Sequence, residues 1–500
     1  MSALLRLPPE LVEFSLRNPP RALLLRGEPG AGKSTLAMTL LSAFRGKRIL
    51  VTSRVSKTEI ANDAPWVVSA PDGPVEIIES FAGANRVEAK GRAMEASSKL
   101  ISSTPGDVEL EQLWLPDSLI DAFSRIGPGA PGMVVIDSWD ALVEHYLGST
   151  RSEGSPRPDR EEIERLVLSL LGRGQAHLVL VVERPGPTQL DYLVDGVVAC
   201  TVATHEERLE RWTQIKKMRG VRVNQPWYPF TLEGGRYQCI APLPPNFQTH
   251  LPRAQGEPDP RPGWIWPGSA DYATHFGRLG HGRSTLVEVE STVPVEAIRL
   301  LLSPLQSQVL SLGGRILSIL PPSLSAADVW ASFRSVVSPA QFVESVRIYS
   351  PGGVSATDPN AELLEKVLIA GPSASGPAMS SRMPEANRFL REGTASGLPS
   401  LGVVWINGLR AGSAEGAATY TAENLPAIVQ KTLGGAPTHL IFIGAPTDPL
   451  TRSLEELAST HIAVRSRSGR VFVYGNVPLT PPLVLAQSGD ESPYQLIRIV

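Results

Sequence analysis

The stretch Ala22-Leu-Leu-Leu-Arg-Gly27-Glu28-Pro29-Gly30-Ala31-Gly32-Lys33-Ser34-Thr35-Leu36 decides the fold. From Gly27 onward it fits the pattern G-x-x-x-x-G-K-[S/T] in full. Glycines let successive backbone N–H groups curl around a phosphate without Cβ clashes, and a helix opening at Lys33 turns its positive end toward that phosphate. The apolar run 22–25 reads as a buried strand feeding the loop. Leu36, Leu40 and Phe44 recur four apart, on one face of the helix that follows. The expected ligand is a nucleoside triphosphate, ATP with magnesium. Gly27, Glu28, Pro29, Gly30, Ala31, Gly32, Lys33, Ser34 and Thr35 form the expected cradle, with Lys33 reaching the β- and γ-phosphates and the Ser34 hydroxyl ligating magnesium. A glycine turn without a ligand is the bland alternative, and the strand before and helix after argue against it.

The pattern extends outward from the loop. Runs 49–52, 133–136 and 178–182 are apolar strands, and 197–201 and 213–217 follow as later ones. Buried strands alternating with amphipathic helices indicate an α/β domain with a mostly parallel sheet covered on both faces. Asp137 closes Met133-Val-Val-Ile-Asp137-Ser138, where a carboxylate can hold magnesium through water. Its plainer role would be to cap the helix that follows. Thr213-Gln-Ile-Lys-Lys217-Met-Arg219-Gly220 is a late strand ending in a basic turn, which alone reads as a solvated hairpin as readily as a site.

Composition bounds the rest. The chain has 500 residues, 42% hydrophobic and 19% charged, with a formal charge of −3. That length exceeds one ordinary domain. The near-zero charge gives nucleic acid or an anionic membrane no electrostatic support. Two cysteines, Cys200 and Cys239, exclude a disulfide framework and a four-cysteine zinc site and fit a reducing cytoplasm. Arg6, Glu10, Glu13 and Arg17 interrupt the N-terminal segment, so no signal peptide is expected there, and no run reaches the ~18 apolar residues of a membrane span. A soluble cytoplasmic protein is expected. The histidines form no metal-binding pair, no nucleophile-elbow pattern supports Ser-His-Asp chemistry, and Arg54, Arg86 and Arg92 do not gather into a nucleic-acid patch.

Three segments are expected: a nucleotide-binding domain over residues 1–240, a proline-rich connector over 241–280 and a second α/β domain over 281–500. Pro242, Pro244, Pro245, Pro252, Pro258, Pro260, Pro262 and Pro267 punctuate the connector, which is expected to lack regular structure and to pack through Trp264 and Trp266. Beyond it the alternation resumes in the same order. A strand at 285–289 precedes a helix through 298–305 and a strand at 315–319, and Gly402-Val-Val-Trp-Ile406 stands where 133–136 stood. His177-Leu-Val-Leu-Val-Val is echoed by His439-Leu-Ile-Phe-Ile-Gly, and each histidine is expected to shape the turn before its strand. This is a faint tandem duplication. At the place of the phosphate loop the second copy reads Glu290-Ser-Thr-Val-Pro-Val-Glu296-Ala297, with no glycine or lysine. Asn407 stands at the place of the acid, and Tyr474-Gly-Asn476-Val at that of the basic turn. The second domain is therefore expected to be structural or partner-binding.

The phosphate loop, Val-Val-Ile-Asp137-Ser138-Trp139-Asp140, Lys217-Met-Arg219-Gly220 and Pro229-Phe230-Thr231-Leu232, in that order, resemble the RecA-fold ATPases of the KaiC-like group. The resemblance implies tandem RecA-like three-layer α/β domains, the second degenerate, and an oligomer in which the turn carrying Lys217 and Arg219 reaches a neighbouring subunit's nucleotide. It implies catalytic roles for Lys33, Asp137, Lys217 and Arg219 and magnesium ligation by Ser34 and Asp137. One departure stands out: that group commonly carries paired glutamates just after the second strand, whereas Ile49-Leu-Val-Thr-Ser-Arg54-Val55-Ser56 offers no carboxylate. Glu28, Asp140 and Glu183 are the available substitutes, and hydrolysis should be slow, since a general base typically contributes ~10²–10⁴-fold. Thr52-Ser-Arg54-Val55-Ser56, Ala64-Pro65-Trp66 and Leu193-Val-Asp195-Gly196-Val-Val are similar to an archaeal branch that includes the gas-vesicle regulator GvpD. That closer resemblance implies a regulatory ATPase acting through a protein partner. A nucleotide-gated binding module with little hydrolysis is the alternative, and a recombinase-like DNA-binding ATPase the further one.

Overall fold

The computed structural model describes residues 4–69, 73–80, 116–126, 131–149, 159–171, 176–184, 186–244, 251–252, 259, 261, 263–370, 379–395, 397–410, 421, 424, 438–488 and 494–500. The chain forms two compact units, Leu4–Ile240 joined by Ile499–Val500, and Ala241–Arg498.

In the first unit the described strands are β1 (Leu4–Leu5), β2 (Ala22–Arg26), β3 (Lys47–Thr52), β4 (Glu76–Glu79), β5 (Gly132–Asp137), β6 (Ala176–Val182), β7 (Gly196–His205), β8 (Arg208–Met218), β9 (Trp227–Thr231) and β10 (Gln238–Ile240). They form one sheet in the order β1-β10-β9-β8-β7-β2-β6-β5-β3-β4. The strands from β7 to β4 in that order run parallel, and β8, β9, β10 and β1 extend the sheet antiparallel. Successive side chains of a strand point to opposite faces, so a strand buried on both sides must be apolar throughout. Accordingly Leu23 and Leu25 of β2 join one core with Leu36, Ala37, Leu40 and Leu41 of the helix Lys33–Ala43, while Ala22 and Leu24 join a second with Trp139, Leu142, Ile163 and Val167. These are the three layers expected from the strand pattern. The short β4, Glu-Ile-Ile-Glu, escapes that pattern because charges bracket its two apolar residues.

The second unit contains β11 (Trp264–Ile265), β12 (Leu279–Gly280), β13 (Ser284–Val289), β14 (Arg315–Ile319), β15 (Val346–Tyr349), β16 (Leu368–Ala370), β17 (Ser400–Trp405), β18 (Thr438–Gly444), β19 (Thr460–Arg467), β20 (Arg470–Val477), β21 (Leu483–Gln487) and β22 (Tyr494–Arg498). Its main sheet runs β16-β15-β14-β17-β18-β13-β19-β20-β21-β22. The succession β4-β3-β5-β6-β2-β7-β8-β9-β10 of the first sheet recurs here as β15-β14-β17-β18-β13-β19-β20-β21-β22. The duplication suspected from short sequence echoes is therefore a shared topology, with β13 in the place of β2 and β18 in that of β6.

Two expectations change. The segment read as irregular connector contains the antiparallel pair β11–β12 and a helix, Ala270–Phe276, opened by Ser269, whose side chain accepts the Tyr272 N–H. Prolines bar a residue from interior ladders, but a two-residue pairing needs few donors and fits between them. Ile265, Tyr272, Phe276 and Leu279 are buried in the core here, and neither tryptophan is. Trp264 instead carries the guanidinium groups of Arg261 and Arg283 at 5.2 and 5.3 Å, and Trp266 that of Arg278 at 5.4 Å. Second, His177 and His439 lie inside β6 and β18 and tie down the entry to the neighbouring strand rather than their own turn. The Arg21 N–H donates to His177 Nδ1 (3.3 Å), while His439 bonds the Gly280 carbonyl and the Thr285 hydroxyl, both at 2.9 Å. No helix among the described residues is long and apolar enough to cross a membrane.

Candidate nucleotide-binding site

The loop leaves β2 at Arg26, whose guanidinium is buried and paired with Asp191 at 2.6 Å. Gly27, at φ 150°, lies so close to β7 that a Cβ there would sit 2.1 Å from the Cys200 carbonyl oxygen. Gly30 and Gly32 have φ of 75° and 85°, the left-handed region that side chains resist. Gly32 is also the N-cap of the helix Lys33–Ala43, and a Cβ on it would meet the Phe230 ring at 3.0 Å. The helix has no side-chain cap, so its first-turn N–H groups face the loop. From β8, Arg211 donates to the Gly30 carbonyl (2.8 Å) and braces the loop from outside.

Lys33 is buried, and its ammonium donates to the Glu28 carbonyl at 2.7 Å. Burial pulls its pKa below the usual lysine value, with Glu183, Cys200 and Asp137 working in the opposite direction. On the next strand but one, Asp137 accepts a hydrogen bond from the Ser34 hydroxyl; burial pushes its carboxyl up, against that bond and the charge of Lys33. Pro29, Gly30, Gly32, Lys33, Ser34, Thr35, Asp137, Val181, Glu183 and Leu232 line one cleft of about 240 Å³. The loop, its lysine and serine, and Asp137 are thus brought together at one cleft, while Glu28 is exposed and Ala31 buried.

Val181, Glu183 and Leu232 are the additions. Leu232 follows the Phe230 motif and was legible as part of it. Glu183 directly follows β6, which lies between β2 and β5 in the sheet, and its carboxylate pairs with Arg54 just beyond β3. Arg54 is held in place by its neighbours. Ser53 exchanges hydrogen bonds with the Ser138 backbone at 3.0 Å in both directions, and the Thr52 hydroxyl donates to the Val55 carbonyl at 2.7 Å. Asp140 is not free for chemistry: its carboxylate is buried, paired with Arg160, and accepts the Glu183 N–H at 2.9 Å.

Lys217 and Arg219 are not in this cleft. Met218 pairs with Gly196, the first residue of β7, so the basic turn lies at the end of the sheet opposite the phosphate loop. The Lys217 ammonium donates to the carbonyls of Asp191 (2.8 Å), Tyr192 (3.3 Å) and Val194 (2.6 Å), and burial lowers its pKa. Arg219 is exposed, 3.6 Å from Asp195. Arg86 and Arg92 lie outside the described residues. No cluster of three or more metal-ligating side chains occurs among the described residues.

In the second unit the helix Val295–Ser311 starts at Pro294 without glycine. At the mouth of β13 the Glu290 carboxylate accepts the Ser466 N–H (3.2 Å), and Glu288 pairs with Arg465. Asn407 is exposed within the helix Ile406–Arg410. Carboxylates stand where the first unit has its loop, and they would repel phosphate.

Residues 11–216 match the family model described as GvpD gas vesicle protein, P-loop domain. This part of the chain resembles the GvpD P-loop domain. Two proteins of Halobacterium salinarum are similar to it. Protein GvpD1 is 27% identical over 239 residues, covering 47% of this chain and 41% of its own length. Protein GvpD2 is 30% identical over 243 residues, covering 47% of this chain and 44% of its own. The chain thus spans less than half the length of the curated relatives it matches. The match over 11–216 takes in the GvpD-type loop, Asp137, Arg54 and Glu183.

Proposed function

We propose that the GvpD-type unit binds ATP with magnesium at residues 27–35, hydrolyses it slowly, and serves as an oligomeric regulatory ATPase acting through a protein partner. One observation carries the reading: a complete phosphate loop, a buried Lys33 and a Ser34–Asp137 pair converge on one cleft. The residues fit the ligand. Lys33 and the N–H groups of the first helical turn would hold the phosphates, and a Cβ at Gly30 would meet nothing within 4 Å, so the loop's crest is open. Ser34 and Asp137 supply only oxygen, the donor that suits magnesium. Magnesium bound there would neutralise charge on the phosphates.

Lys217 and Arg219, at the far end of the sheet, can serve a nucleotide only in another copy, which is the basis for proposing an oligomer. The Ala241–Arg498 unit, lacking loop glycines and lysine, is proposed to be the partner-binding half. The alternative of a nucleotide-gated module with little turnover draws on the arginine that stands after β3 where a carboxylate is usual. A recombinase-like role has only the fold in its favour, and the charge of −3 weighs against it.

Phosphate release by the purified chain, with Lys33→Ala as control, tests the reading. Release that the substitution abolishes supports the ATPase, tight binding without release supports the gated module, and no binding refutes both.

A further inference from the structure

We infer that Glu183 is the base that takes the proton from the attacking water in this cleft, and that Arg54 restrains it until a γ-phosphate claims the guanidinium. The inference rests on the reading of the cleft as an ATP site. Of the three carboxylates available to replace the missing one, Glu28 is exposed on the loop and does not line the cleft, and Asp140 is consumed by Arg160 and the Glu183 backbone. Glu183 remains. It enters the cleft between the phosphate loop and Asp137, and the Asp140 carboxylate fixes its backbone N–H at 2.9 Å. The end of β3, where the water-orienting carboxylate is absent, instead sends Arg54 across the Asp137 strand to Glu183.

Charge explains how the pair would respond. Lys33 and Arg54 balance Asp137 and Glu183, so the cleft is neutral by itself. A triphosphate adds negative charge beside a guanidinium, and phosphate matches guanidinium geometry at least as well as carboxylate does. The existing pair is partly exposed, 48% for Arg54 and 31% for Glu183, so it is weak enough to exchange. Once Arg54 turns to the γ-phosphate, the Glu183 carboxylate is free to accept a proton from water. The hydroxyl oxygen bonds to the γ-phosphorus, and the bond from that phosphorus to the β–γ bridging oxygen breaks. Its electron pair leaves with ADP, and Glu183 returns the proton to solvent.

The test compares wild type, Arg54→Ala and Glu183→Gln, all in the full chain with magnesium. Calorimetric titration is done with ADP and with the triphosphate analogue whose β–γ bridge is NH, and phosphate release from ATP is followed separately. Both side chains are partly exposed, so unchanged unfolding temperatures are expected. Arg54→Ala should weaken the analogue about tenfold while leaving ADP within twofold. Glu183→Gln should keep or tighten analogue binding and cut phosphate release by about 100-fold or more. Equal losses for ADP and analogue in Arg54→Ala overturn the restraint. Undiminished release by Glu183→Gln, or a wild type that binds but never releases phosphate, overturns the base. A wild type that binds neither nucleotide fails at the underlying reading, and so is distinguishable from both.

Discussion

Gly27→Ala and Gly30→Ala probe the same loop and should differ sharply. At Gly30 an added Cβ meets nothing within 4 Å, so the penalty is the left-handed φ of 75° alone, about 1–2 kcal/mol. At Gly27 the φ of 150° is also unfavourable, and the new Cβ would stand 2.1 Å from the Cys200 carbonyl oxygen. Neither atom can retreat easily. Arg26 pairs with Ala199 in the β2–β7 ladder one residue away, and the Arg26–Asp191 ion pair is buried beside it. Backbone strain of about 1–3 kcal/mol and overpacking of a similar size give about 4 kcal/mol. For a domain of this size that lowers the melting temperature by roughly 10 °C, against roughly 4 °C for Gly30→Ala. Scanning calorimetry of the full chain measures both; the transition that ATP raises belongs to the first unit. Equal shifts for the two variants would refute the argument that β7 backs directly onto the loop.

Other consequences are equally concrete. Asp140→Asn removes the charge from a buried carboxylate that holds Arg160 and the Glu183 N–H, and should cost about 2 kcal/mol in a urea titration while slowing phosphate release more than it weakens ATP binding. Burial pushes His439 from 6.5 down to about 4, so its native form is neutral while the unfolded chain takes up a proton near the ordinary value. The stability it contributes is present above pH 6.5 and is lost as pH falls toward 4. Between pH 7 and 5 the second unit should lose about 2 kcal/mol, measured as a denaturant midpoint, and His439→Gln should flatten that slope. Cys200 and Cys239 are buried, and the Cys200 thiol is pushed up to about 12, so a thiol reagent at pH 8 should label neither until denaturant is added.

What was legible in the sequence was what depends on near neighbours. The phosphate loop is contiguous, and the strands on both sides announce themselves because a strand buried on both faces carries apolar residues without a break. Asp137 was readable because it ends such a strand. The Arg54–Glu183 pair was not, because 129 residues separate the partners and only the sheet order β2-β6-β5-β3 brings the strand ends together. Glu183 could be named as a candidate base, but its choice over Asp140 required knowing that Arg160 had already claimed the latter. His177 and His439 were legible as equivalent positions, yet their partners lie before or within another strand. In the segment after residue 240 the prolines hid a helix and a strand pair short enough to fit between them. Lys217 illustrates the opposite limit: its motif suggested a site, while its ammonium is engaged by three carbonyls of its own chain.

The central claim is that this chain has one nucleotide site, built on the GvpD-type loop, and that its second unit has none. Calorimetric titration of the full chain with ATP and magnesium tests it most directly. One nucleotide per chain is expected, with binding abolished by Lys33→Ala. Two nucleotides per chain, or undiminished binding by the Lys33→Ala variant, would contradict it.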